Sequence, residues 1–119
     1  MKRYKYNINV NRSNKQYGYI EGNIGDIAWY AMVHDLPVEN GIDPTTLDKG
    51  YGRITKLCLY KDDTSFEGNP YLPSMTVRRQ IFVNYQEEWQ VLNAAYTDMA
   101  REIIHYLDRR FSLKLVSGH

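Results

Sequence analysis

The sequence predicts an α+β fold for a single domain, 1–119, in which an antiparallel sheet of about five strands packs against one long C-terminal helix. Three features lead to this prediction. Polar and apolar residues alternate in the first third of the chain, a helical apolar stripe follows residue 93, and the strands precede the helix rather than alternating with it. Because such a helix needs a surface to cover, the sheet is its expected partner.

The helix is predicted over 93–110. Asn93 is a suitable N-cap, since its side-chain oxygen can accept hydrogen bonds from the free amides of the first turn. At about 100° per residue, one side of the helix is apolar and is formed by Tyr96, Met99, Ala100, Ile103, Ile104, Leu107 and Phe111. The other side is expected to face solvent and carries Thr97, Asp98, Arg101, Glu102, His105, Asp108 and Arg109.

The five strands are predicted from alternation at period two and from turn residues between them, at about 4–10, 17–23, 27–35, 53–61 and 77–86. The first three form an antiparallel meander, with a turn at 11–14 and a tight reversal at Gly25. Two segments rich in Gly, Pro, Asn and Asp, 36–52 and 62–76, are predicted as long loops. Trp89 and Leu92 are expected to lead into the helix.

Composition indicates an ordinary globular protein, with 43% hydrophobic and 24% charged residues and a net charge of +1. No apolar run approaches a membrane span, and the basic start of the sequence lacks the apolar segment of a signal peptide. The single cysteine, Cys58, is expected to fill the core and fits a reducing, cytoplasmic setting. Tyrosine is unusually frequent, with 11 residues, and suits both half-buried strands and binding surfaces.

Several short segments occur in a fixed order: Gly22-Asn23-Ile24-Gly25-Asp26, Gly41-Ile42 and Gly52-Arg53-Ile54-Thr55-Lys56-Leu57, followed by Trp89 and the final helix. With these segments the chain resembles a small uncharacterised family of low-GC Gram-positive bacteria and their prophages. Members of that family place Gly-Ile and Gly-Arg closer together, so 43–51 is interpreted as an insertion. The resemblance implies a sheet-plus-helix fold and a bacterial or phage setting. It implies no catalytic residues, because the family has no assigned activity.

The residues that could carry chemistry favour structural explanations. His105 is expected to be a solvated surface residue, and His34, although next to Asp35, has no nucleophile or second base beside it in sequence. The acids of the first long loop lack the pattern of a calcium loop. No phosphate-binding glycine motif or nucleophilic triad is present. The sequence therefore predicts no enzyme, no metal and no cofactor, with a hydrolase using Asp35 and His34 as a minor alternative.

Charge is distributed unevenly, since residues 1–16 contain five basic residues and no acid. We expect the basic strand face to lie near the exposed side of the third strand, which gives a candidate partner-binding set of Lys2, Arg3, Lys5, Arg12, Lys15, Tyr30 and His34. The predicted function is a small non-catalytic module that docks on, and inhibits, a host protein such as a defence nuclease. The alternative is nucleic-acid binding through the basic N-terminal hairpin. A homodimer through the open sheet face is a further possibility.

Overall fold

A computed structural model gives the architecture and describes residues 5–14, 18–67 and 74–117, with the backbone alone for 64–67, 74–77 and 111–117. The fold is α+β, as predicted: an antiparallel sheet has the order β1-β2-β3-β4-β5-β6, and one helix covers one face of it. The strands number six rather than about five. Their bounds are β1 Asn9–Asn14, β2 Tyr19–Ile24, β3 Ile27–Ile42, β4 Lys49–Glu67, β5 Ser74–Gln86 and β6 Trp89–Leu92, and the helix α1 is Thr97–Ser117.

The core lies between this helix and the inner face of the sheet. Strand alternation directs every second residue inward, so Trp29, Ala31 and Val33 of β3 are buried. The helical stripe meets them as predicted, with Ala100, Ile103, Ile104 and Leu107 all fully buried. Tyr6, Ile8 and Val10 pack against the same core, so these three side chains lie on the helix side of the sheet.

The first strand and its turn were predicted in the wrong places. β1 begins at Asn9, and the segment 11–14, predicted as a turn, continues this strand. A bulge between Val10 and Arg12 absorbs one residue of the pairing with β2. Asn and Ser are tolerated there because β1 is an edge strand with solvent along one side. The turn into β3 is confirmed at Gly25, whose φ of 59° is accessible to glycine without strain.

The prediction of a long loop at 36–52 is also wrong, since β3 runs to Ile42 and β4 begins at Lys49. β3 and β4 stay paired almost to their ends and form a hairpin arm, which we define as residues 35–53. Pro37 fits because the pairing is interrupted between Val33 and Val38, so no ladder hydrogen bond is lost there. Gly41 and Gly52 allow the two backbones to pass closely, since a Cβ on Gly41 would overlap the carbonyl of Gly52.

The other predicted loop, 62–76, is also largely strand. β4 runs to Glu67 and β5 starts at Ser74, and the two pair continuously from Lys56↔Gln86 to Glu67↔Ser74 apart from one bulge. The segment 68–73 lies outside the described residues. Trp89 and Leu92 form β6 rather than a lead-in, because a turn at 87–88 returns the chain antiparallel to β5.

The helical region begins where predicted. Asn93 caps a short 3₁₀ helix, Ala94–Tyr96, and its side chain accepts from the amide of Ala95. α1 follows directly and runs past the predicted end at residue 110. Within the described ranges, no helix combines the length and the apolar character that crossing a bilayer requires.

The polar side of α1 is not simply solvated. The Oε1 of Glu102 accepts from the Tyr6 amide, and the Nε2 of His105 lies 2.6 Å from the Pro44 carbonyl oxygen. The prediction of His105 as a solvated residue is therefore wrong, because the arm folds back onto the helix. The carboxylate of Asp108 lies 3.5 Å from the Nε of Arg53.

Two aromatic residues fasten the same arm to the sheet. The Tyr85 hydroxyl donates to the Asn40 carbonyl at 2.7 Å, and the Trp89 indole donates to the Leu47 carbonyl at 2.7 Å. Leu47 itself is buried in the core although it belongs to the hairpin tip. These bonds make the arm a fixed part of the fold.

Candidate functional site

The face of the sheet opposite α1, here called the open face, is covered by no other element of the described chain. On β3 it carries Ala28, Tyr30, Met32 and His34, which alternate with the buried core residues of the same strand. The neighbouring strands add Tyr19 and Glu21 from β2 and Lys56, Cys58 and Tyr60 from β4. The open face is thus the surface on which a ligand could meet the sheet.

Three tyrosines form a diagonal line across the open face. Tyr19 lies opposite Met32, and Tyr60 lies opposite Ala28, so each is a diagonal neighbour of Tyr30. The ring centroids are 6.2 Å apart between Tyr19 and Tyr30 and 6.0 Å apart between Tyr30 and Tyr60. We call these three residues the tyrosine row. All three side chains are half-buried, so each presents part of its ring to a partner.

The tyrosine row continues onto β5 through Arg79. Its guanidinium carbon lies 4.0 Å from the centroid of the Tyr60 ring, a cation–π distance. Arg79 also lies directly opposite Asp62 and forms two hydrogen bonds with that carboxylate, of 2.8 and 2.9 Å. This bidentate pair lowers the pKa of Asp62 and raises that of Arg79. The arginine is therefore held in a fixed position at one end of the row.

The hydroxyl groups of the row are neutral at physiological pH. Burial raises the pKa of Tyr30 and of Tyr60. Burial, together with the hydrogen bond that the Tyr19 hydroxyl donates to Glu21 at 3.0 Å, raises the pKa of Tyr19 to about 12. The row thus presents neutral aromatic rings with hydroxyl groups rather than phenolates.

Cys58 lies on the open face, opposite Tyr30, rather than in the main core. The prediction that it is buried is confirmed, but it is buried on the other side of the sheet from the helix. Burial raises the pKa of its thiol, which keeps it protonated and unreactive.

Next to the tyrosine row, the open face contains a groove of about 400 Å³ between the sheet and the base of the arm. Met32 connects the two features, because it lies on the groove wall and pairs with Tyr19. The groove is lined by Met32, His34, Val38, Glu39, Asn40, Thr55, Lys56 and Glu87.

A bulge in β4 builds the wall of this groove. The pairing shifts between Met32↔Lys56 and Val33↔Ile54, which leaves Thr55 as the extra residue. Its hydroxyl lies 2.9 Å from the Nε2 of His34, and its carbonyl accepts from the Glu87 amide at 2.9 Å. Thr55 is 9% exposed, so both of its polar groups find partners within the protein.

Glu87 occupies a strained backbone conformation at the rim of the groove. Its φ is 63°, in the left-handed region that non-glycine residues rarely adopt. The hydrogen bond to Thr55 and the bond between the Gln86 amide and the Glu88 carbonyl hold this conformation. Backbone strain of this kind is often found at functional sites, where the surrounding structure maintains it.

The predicted partner-binding residues are distributed over three places. Tyr30 and His34 share the open face, and Arg12 lies at its margin, 3.5 Å from the Glu21 carboxylate. Lys5 lies beside the helix, since the neighbouring Tyr6 amide contacts Glu102, and it is not next to Tyr30 as expected. Lys2, Arg3 and Lys15 lie outside the described residues.

The groups considered for catalysis or metal binding have structural contacts. His34 contacts Thr55, and Asp35 accepts a hydrogen bond from Arg53 through its backbone carbonyl. The carboxylate of Asp43 accepts from the Thr45 amide at 2.8 Å and so stabilises the hairpin tip. In the described ranges, no three His, Cys, Asp or Glu side chains are placed to hold a metal ion together.

Sequence reasoning found only part of this surface. The alternation along β3 correctly placed Tyr30, Met32 and His34 on one face. Glu39 and Glu87 were missed because the groove brings together the arm and the β5–β6 turn, which lie far apart in the sequence. Positive φ at Glu87 has no signal in the sequence, since glutamate does not favour that conformation.

Comparison of the chain with protein-family models, with curated proteins and with solved structures yields no match.

Proposed function

We propose that this protein is a non-catalytic binding module that docks on another protein through the tyrosine row on the open face of its sheet. The observation that carries the proposal is the diagonal of Tyr19, Tyr30 and Tyr60, which lies on the face that the helix leaves uncovered.

The chemistry of the row suits a protein interface. Tyrosine and arginine are enriched among the residues that dominate protein–protein binding energy. A tyrosine ring gives a large contact area with few rotatable bonds, and its hydroxyl can bond to the partner's polar groups. Here the rings already touch one another and Arg79 is fixed by Asp62, so binding would order few side chains.

Charge balance favours a protein over a nucleic acid as the partner. Arg79 faces Asp62 and Arg12 faces Glu21, so these two cations of the open face already have carboxylate partners. A surface that binds phosphates gains affinity by neutralising them with free cations. Neutralised cations beside aromatic rings are better suited to the mixed surface of a protein.

The setting of the proposal comes from the sequence. A bacterial or prophage origin, a cytoplasmic location and a host protein such as a defence nuclease as the inhibited partner are suggested by the resemblance and by the lone cysteine. A second copy of the chain on the open face is the competing occupant, and the oligomeric state in solution distinguishes it.

The test uses the full chain as bait in a bacterial lysate treated with nuclease. We expect Tyr19→Ala and Tyr60→Ala each to weaken capture of the partner by roughly tenfold or more, since they remove central aromatic contacts. The matched control is Tyr51→Ala, because Tyr51 is 71% exposed but lies on the arm, away from the row. Equal capture by all three variants would contradict the proposal.

One observation favours single-stranded nucleic acid as a second candidate. Three aromatic rings on adjacent strands, on the face opposite a helix, form a platform on which bases can stack. This alternative predicts that a labelled oligonucleotide binds with an affinity that falls steeply with salt, because binding releases counterions. An affinity that does not change with salt would exclude it.

A further inference from the structure

We propose that the groove beside the tyrosine row binds one basic side chain, arginine or lysine, of the partner protein. This inference rests on the proposed function and adds the chemistry of one contact. The groove belongs to the same surface as the row, because Met32 lines the groove and lies two residues from Tyr30 on the same strand face.

The shape and lining of the groove fit a long side chain with a charged end. Its volume of about 400 Å³ exceeds that of a single side chain, and it is open to solvent. Met32 and Val38 supply apolar surface for the methylene stem. Glu39 of the arm and Glu87 of the β5–β6 turn both line it, so two acidic residues border the groove.

Charge complementarity identifies the occupant as basic. In the described ranges, no lysine or arginine lies within ion-pair distance of Glu39 or Glu87, in contrast to the paired Glu21 and Asp62. Lys56 is the one formal cation of the lining and leaves the groove with a net charge of −1. A cationic side chain gains two unpaired carboxylates there, whereas an acidic one would meet two like charges.

The other polar groups of the lining can accommodate a guanidinium or ammonium group. Thr55 and His34 already bond to each other, and their contact closes the inner wall. Asn40 provides a side-chain amide oxygen, which accepts hydrogen bonds from a cation. The strained backbone at Glu87 is held by its bond to the Thr55 carbonyl, which keeps the main chain of Glu87 at the rim before binding.

The experiment titrates the full ¹⁵N-labelled protein with acetyl-Gly-Arg-Gly-amide and follows its amide resonances. The comparison peptide has citrulline, which has nearly the shape of arginine but no charge. We expect the arginine peptide to shift the resonances of Met32, Val38 and Thr55 at millimolar concentration. The citrulline peptide is expected to bind at least about fivefold more weakly.

Three variants separate the groove from nonspecific charge. Glu39→Gln combined with Glu87→Gln is expected to reduce arginine-peptide affinity by about fivefold, as expected for losing two exposed ion pairs. Glu88→Gln is the matched control, because Glu88 is in the same turn but does not line the groove. Lys56→Gln is expected to increase affinity, since it removes the like charge.

Equal binding of the two peptides, or equal effects of the Glu39→Gln/Glu87→Gln double variant and of Glu88→Gln, would overturn the inference. Absence of shifts at those three residues would overturn it as well. If the Tyr19→Ala bait still loses its partner in these cases, the proposed docking role stands and only the basic contact is wrong. If the arginine peptide binds as expected while that bait retains its partner, docking through the tyrosine row is wrong and the basic contact in the groove stands.

Discussion

The close crossing of the two strands in the hairpin arm leads to a specific prediction for Gly41. A Cβ at this position would overlap the carbonyl oxygen of Gly52, which is backbone and cannot rotate away. Gly50, which pairs directly with Gly41, has room, because its Cβ would lie 3.6 Å from the Cβ of Asp43. Gly41→Ala and Gly50→Ala are therefore a matched pair with the same chemical change.

The magnitude follows from the type of contact. Overpacking costs about 1–3 kcal/mol, and the upper end applies to Gly41→Ala because strand pairing must yield rather than a side chain. A loss of about 3 kcal/mol in the free energy of unfolding would lower Tm by roughly 12 °C in a domain of this size. Gly50→Ala is expected to be neutral or to stabilise by about 0.5 kcal/mol, because alanine reduces the freedom of the unfolded chain.

Urea unfolding followed by tryptophan fluorescence measures this difference, since Trp29 is fully buried and Trp89 bonds to the arm. At an m value of about 1.5 kcal/mol/M, the midpoint of Gly41→Ala should fall by roughly 2 M relative to Gly50→Ala. Equal midpoints for the two variants would show that the strands do not cross closely, and the account of the arm would be refuted.

Three further predictions concern other contacts. Tyr85→Phe should destabilise by about 1–2 kcal/mol in urea unfolding, because the Asn40 carbonyl loses its donor; an unchanged midpoint would contradict this bond. His105→Ala should lower stability by about 1 kcal/mol and Arg109→Ala by nearly nothing, and equal effects would restore the surface interpretation of His105. Tyr19 has a folded pKa of about 12 against 10.0, so its contribution to stability is complete below about pH 10 and is lost towards pH 12. Wild type should therefore lose more stability than Tyr19→Phe between about pH 10 and 12, and parallel losses would contradict the shift.

The arm shows why composition misleads. Gly41, Gly50, Gly52 and Pro37 together resemble a loop, because such residues are rare inside strands. In the fold, Gly41 and Gly52 permit a close backbone approach and Pro37 lies in a gap of the pairing. Each exception depends on how β3 and β4 pair, which the neighbouring residues in the sequence do not show, so a loop was predicted for all of them.

The helix also shows which features follow from local sequence and which depend on contacts with other elements. Its apolar stripe is a property of spacing alone, and residues 100, 103, 104 and 107 are buried as the spacing requires. Its polar side has partners only because other elements arrive there. His105 meets Pro44 from 61 residues away and Glu102 meets Tyr6 from 96 residues away.

By itself, the sequence determined the α+β class, the antiparallel meander, the helix with its cap at Asn93 and the buried faces of both. These follow from periodicity and capping, which act over a few residues. Only the tertiary structure decided that Tyr19, Tyr30 and Tyr60 form one diagonal and that Glu39 and Glu87 line one groove. Strand register and a bulge at Thr55 produce both features, and each depends on pairing between distant segments.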